Sequence, residues 1–96
     1  MVQQVTITAE SPVSLKPLVE GAIRGELKIL EFGIARTRER LDAFEKQFNM
    51  TSQEFERRFD GKDLKETLDF LDWSGEIKML QLLESKYQTL RGAQIS

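Results

Sequence analysis

Residues 69–76 read D-F-L-D-W-S-G-E and set the chain's sole tryptophan, Trp73, among the acids Asp69, Asp72 and Glu76. They close a longer acidic run in which Asp60, Asp63, Glu66, Asp69, Asp72 and Glu76 stand against only Lys62 and Lys65. Carboxylate oxygens suit calcium or magnesium, so a metal site is the first chemistry to weigh. The spacing opposes it. A calcium-binding loop between helices alternates its ligands around a central glycine and ends on a glutamate, and D-G-K-D-L-K-E follows neither rule. Paired carboxylates acting as general acid and base require a cleft and a perturbed pKa, and no nucleophile motif or phosphate-binding loop accompanies them.

The chain has no histidine and no cysteine. That removes imidazole and thiolate metal ligands, thiol nucleophiles, disulfides and the usual base near neutral pH. The expectation is a non-catalytic protein without metal or cofactor. Asp69, Asp72, Trp73 and Glu76 then become a candidate face for a basic protein partner, or the wet side of an amphipathic helix, with Trp73 packed either into the hairpin or against that partner.

Nucleic acid is a weaker candidate. A-R-T-R-E-R (Ala35 to Arg40) can touch phosphates, but Glu39, Asp42 and Glu45 interleave with its cations, and a net charge of −2 lacks a nucleic-acid binder's basic footprint. If DNA is bound, the better reader is a two-chain ribbon of Q-V-T-I-T strands in the major groove, with Gln4, Thr6 and Thr8 turned outward.

At 96 residues, 40% hydrophobic and 31% charged, the chain reads as one folded, helix-rich domain. A chain this short buries a modest share of its surface, which favours help from a second chain. The opening MVQQVTITAE has no basic region followed by an apolar run, and nothing approaches the roughly 18 apolar residues of a membrane span. A cytoplasmic location without membrane contact is expected.

The elements that position these residues are legible from periodicity. Alternation over residues 3–8 predicts a short strand, and the loop around Pro12 leads to Ser14 as a helix cap. Residues 15–48 predict one long helix, about 50 Å at about 1.5 Å per residue. Its seam is Val19, Ile23, Leu27, Leu30, Ile34, Leu41, Phe44 and Phe48, interrupted at Thr37. A second apolar or small-residue face, Leu18, Ala22, Gly25, Ile29 and Phe32, occupies the first half only. A helix apolar on two sides needs two partners: this chain's own second arm and a second protein chain, which makes a homodimer or a higher oligomer the expectation.

Asn49 predicts a left-handed stop, and T-S-Q-E (Thr51 to Glu54) a capping box opening a short helix over about 52–60. Phe55 and Phe59 on that helix plug the bend, and Asp60-Gly61 ends it. A third helix over about 65–91 is the second arm, with Ile77, Met79, Leu80, Leu82, Leu83, Tyr87 and Leu90 as a wide apolar face. Asp69, Asp72 and Glu76 fall in register with Leu80, Leu83 and Tyr87. Either the helix bends or restarts near Ser74-Gly75, or the acids face water at that level. The tail, Ala93 to Ile95, returns near Val5 to Thr8 and can pair with it. The fold class is therefore mainly α: a long antiparallel, coiled-coil-like helical hairpin with a short connecting helix and a short N-terminal strand.

With these residues read, the order of motifs resembles a family of small prokaryotic antitoxin-like proteins, typical of archaea and cyanobacteria and encoded beside a small toxin. V-T-I-T, S-L-K-P-L-V-E, F-E-K-Q-F-N-M-T-S-Q-E-F, D-F-L-D-W and E-I-K-M-L-Q-L-L-E carry the resemblance over nearly the whole chain. It implies a non-catalytic protein that binds and neutralises a cognate toxin, an RNase-type one among the candidates, and that can repress its own operon by binding operator DNA. The alternatives are a homo-oligomeric coiled-coil scaffold and a DNA-binding regulator using the strand.

Overall fold

The long periodic segment folds as one unbroken helix, α1 (Leu15–Phe48). The computed structural model describes residues 3–10 and 14–95, so Pro12 lies outside the described residues. Ser14 takes the extended cap position, but its side chain makes no capping hydrogen bond. At the other end Asn49 stops the helix in the left-handed conformation, φ 51° and ψ 51°, which asparagine tolerates better than most residues.

The bend follows at once. Thr51 caps α2 (Ser52–Asp60), its hydroxyl accepting from the Glu54 amide at 3.0 Å. The return half of the capping box is not made: the Glu54 carboxylate instead accepts from Arg57 at 2.6 Å. Gly61 closes α2 with an ordinary φ of −75°, and the left-handed position passes to Lys62, φ 61°. A Cβ on Gly61 would lie 3.1 Å from the Arg57 carbonyl oxygen, so the glycine serves a close backbone approach and not a left-handed turn.

The third helix, α3 (Leu68–Arg91), starts three residues later than the sequence suggests, because Thr67 is extended and caps it, accepting from the Phe70 amide at 3.1 Å. It runs without a break through Ser74-Gly75. The expected phase conflict arises from extending the line through Leu83 and Leu80 straight back to Glu76, Asp72 and Asp69. The covered side chains instead run Phe70, Trp73, Ile77, Leu80, Leu83 and Tyr87, a seam that turns around the helix and leaves Asp69 and Asp72 outside. Met79 and Leu82, expected in the hairpin core, stay about half exposed.

α1 and α3 pack antiparallel into a hairpin 60 Å long and 22 by 18 Å in section. Thr37, the interruption in the α1 ladder, is itself buried in the seam. No buried side-chain nitrogen or oxygen among the described residues lacks a hydrogen-bond partner. At Gly33 the two helices come close: an added Cβ would sit 3.4 Å from Leu83 Cδ1.

The core is concentrated at the bend. Trp73 and Phe55 are completely enclosed, their rings stacked 4.0 Å apart at 6°. Phe44 and Phe48 stack on Trp73 at 5.6 and 5.8 Å, and Phe70 meets Phe48 edge-on at 5.0 Å. The indole Nε1 donates to Ser52 Oγ at 3.0 Å, so α1, α2 and α3 all hold the same ring. At the far end β1 (Gln4–Val5) pairs in parallel with β2 (Gln94–Ile95), Gln4 opposite Gln94 and Val5 opposite Ile95. This strand is shorter than the expected 3–8, and its partner is the chain's own tail.

Emptying this core tests how far the hairpin depends on it. Phe55→Ala is expected to lower unfolding free energy by about 3–5 kcal/mol, the cost of removing a buried phenylalanine without refilling the space. Urea titration followed by Trp73 fluorescence measures the loss.

Candidate interaction surface

Of the four residues read as a partner-facing patch, Trp73 belongs elsewhere. It is 0% exposed, because three aromatic rings and the Ser52 hydroxyl already satisfy both its apolar surface and its N–H. Asp69 and Asp72 are exposed. Glu76 sits lower on the same flank, and Arg40 Nη1 donates to its Oε1 at 2.8 Å. Two of the four residues are therefore acids open to solvent, one is neutralised within the chain, and one is core.

The apolar residues beside those acids come from α3 itself. Leu68, Leu71, Met79 and Leu82 are exposed, Leu68 most of all at 81%. Gly75 lies among them with nothing within 4 Å of where a Cβ would be. Leu71, Asp72, Gly75 and Met79 form one wall of an open groove of about 700 Å³, and Arg40, Ala43 and Gln47 of α1 form the other. The sequence carries a signal for these residues in the steps of three and four from Leu68 to Leu82. It is masked because Met79 and Leu82 also fit the one broad apolar face read over the second arm.

The face expected on α1 is uncovered. Leu18, Ala22, Gly25, Ile29 and Phe32 are all exposed, with Phe32 at 72%. Their steps of four, three, four and three keep them on one side of the helix. The same steps lead on through Arg36 to Arg40, Ala43 and Gln47, so this face and the groove wall are one continuous flank of the hairpin.

The opposite flank differs in chemistry. Arg38 pairs with Glu84 at 2.6 Å, and the Tyr87 hydroxyl donates to Glu31 Oε1 at 2.9 Å. That hydrogen bond, followed by burial, raises the Tyr87 phenol above its ordinary pKa. Asp42 pairs with Lys46 at 2.9 Å, which lifts the ammonium above its usual value. One side of the hairpin is thus laced with polar contacts, while the other presents large apolar side chains.

Gln4, Thr6 and Thr8 are exposed, but only Gln4 lies in a strand, and that strand is paired within the chain. The described residues hold no group of three or more acids placed to grip a metal ion, and no helix long and apolar enough to cross a membrane. Compared with protein-family models, with characterised proteins and with solved structures, the chain has no match.

The enclosure of Trp73 is directly measurable. Its emission should be blue-shifted and weakly quenched by acrylamide in the native protein, rising to full quenching in urea. Strong native quenching would return the indole to the surface.

Proposed function

We propose that this chain is a non-catalytic binding protein that works as a homodimer and neutralises a cognate toxin, the antitoxin of a toxin–antitoxin pair. The observation that carries the binding role is the uncovered row of Leu18, Ile29 and Phe32, each more than 60% exposed on a single helix face. Scattered apolar residues on a surface are ordinary, whereas large ones repeated along one helix face with small residues between them are the mark of an interface.

The toxin assignment draws on the motif resemblance and on charge. The α2–α3 end carries Asp60, Asp63, Glu66 and Asp69 in exposed positions outside the groove that Asp72 lines. Acidic groups at the rim of an interface speed encounter with a basic surface and set its orientation, while buried apolar anchors supply most of the affinity. A helical hairpin that brings both to one partner can cover a basic active site without any chemistry of its own.

A homo-oligomeric scaffold with no toxin uses the same α1 face and differs only in lacking the second partner. Regulation through DNA needs the strands of two chains joined in a ribbon, which the observed pairing of β1 with β2 does not provide. Operator contact by Gln4, Thr6 and Thr8 would require that pairing to be extended or exchanged.

Co-expression with the neighbouring open reading frame separates these roles. An antitoxin should co-purify with that product and relieve its toxicity, and a harmless neighbour that does not co-purify would remove the antitoxin reading. Light scattering of the chain alone should give a dimer at micromolar concentration, and Phe32→Asp should shift it toward monomer by tenfold or more in dissociation constant.

A further inference from the structure

We infer that the groove between α1 and α3 is the seat of the second copy's α1, so that two hairpins lie side by side in opposite directions as a two-fold four-helix bundle. This rests on the homodimer reading above and specifies its geometry.

Spacing is the first indication. On α1 the exposed ladder is Leu18, Ala22, Gly25, Ile29 and Phe32. On α3 residues 68, 72, 75, 79 and 82 advance by the same four, three, four and three. Glycine holds the third place in both, Gly25 and Gly75, and large apolar residues hold the first, fourth and fifth. A Cβ on either glycine would meet nothing within 4 Å. Both ladders are left exposed by their own chain.

Two helices carrying the same three-and-four ladder pack in register along a common seam. Placing α1 of one copy in the partner's groove sets Leu18 near the partner's Leu68, Gly25 over the partner's Gly75 and the partner's Ala43, Ile29 near the partner's Met79, and Phe32 near the partner's Leu82. Small residues meet at the point of closest approach. Asp72 falls opposite the small side chain of Ala22, and Leu71 beside it in the groove wall supplies the apolar contact.

Symmetry closes the arrangement. In each hairpin the α1 ladder lies toward the strand end and the groove toward the bend. A two-fold axis crossing the hairpins near mid-length therefore seats both helices at once. The self-complementary contact this makes is the kind expected of a homodimer. Area agrees: the hairpin's broad side has a 60 by 22 Å outline, enough for the roughly 800 Å² per partner of a standard interface. A crossing of α1 on α1 at Gly25 alone would use only the strand-end half of that outline and would leave Leu68, Leu71, Met79 and Leu82 in water.

The chain has no cysteine, so introduced pairs report without background. The variant carrying both Ile29→Cys and Met79→Cys should oxidise to a cross-linked dimer, because the two positions approach only between copies. Gly25→Cys alone should not link to itself. Gly75→Gln should leave the monomer folded by circular dichroism, since its side chain enters open space, yet weaken self-association at least tenfold. Self-linking of Gly25→Cys, or a dimer indifferent to Gly75→Gln, would overturn this geometry and leave the homodimer standing. A wild-type chain that is strictly monomeric would remove both.

Discussion

The stack of Phe55 on Trp73, 4.0 Å apart and closed to solvent, is the contact on which the rest of the hairpin depends. Trp73 lies on α3, Phe55 on α2, and Phe44 and Phe48, which also stack on the indole, on α1. A single ring thus fixes the mutual placement of all three helices. Aromatic pairs contribute about 0.5–1.5 kcal/mol each beyond their buried area, and several converge here. Toward the strand end the buried residues of the seam are the smaller Leu30 and Thr37, and the helices are tied there by the exposed Arg38–Glu84 pair and the Tyr87–Glu31 hydrogen bond, of which the ion pair contributes little.

Fixing the bend also fixes which flank is spare. With Trp73, Ile77 and Leu80 turned toward α1, the next residues around α3 must fall either on the polar flank with Glu84 or on the flank with Leu71, Gly75 and Met79. On α1 the same rotation sends Arg38 and Asp42 one way and Ile29, Phe32 and Arg40 the other. The pair Arg40–Glu76 spans the apolar flank and marks where the two helices lie level. The flank that stays open is the one that the aromatic stack left out, and it is the one we propose a second copy covers.

The coarse fold is legible in the sequence because its signals are local and periodic. The α1 ladder, the left-handed Asn49 stop and the Thr51 cap each follow from a few neighbouring residues. Rotational phase is not local. Continuing the Leu80–Leu83 line straight toward the start of α3 sets the acids against the core, so that either the helix bends at Ser74-Gly75 or the acids face water; the helix runs on unbroken, and Asp69 and Asp72 face water. Phase is decided by packing against α1, and above all by where the largest ring can be enclosed. Trp73 reads from sequence as packed either into the hairpin or against a partner, and only α2 lying across it decides for the hairpin. The start of α3 shifts because Thr67 is extended and its hydroxyl takes the cap, accepting from the Phe70 amide.

The acids proposed to face a toxin and the face proposed for self-association are drawn from residue type and register alone. The structure leaves Asp69, Asp72, Leu18, Ile29 and Phe32 at the surface but joins them to residues that periodicity does not single out, Leu68, Leu71, Gly75 and Met79. Whether that flank is covered by a second copy along its whole length is answered most directly by small-angle X-ray scattering. Side-by-side packing requires a particle with the mass of two chains whose longest dimension stays close to the 60 Å of one hairpin. A particle of one chain's mass, or a dimer approaching twice that length, would contradict it.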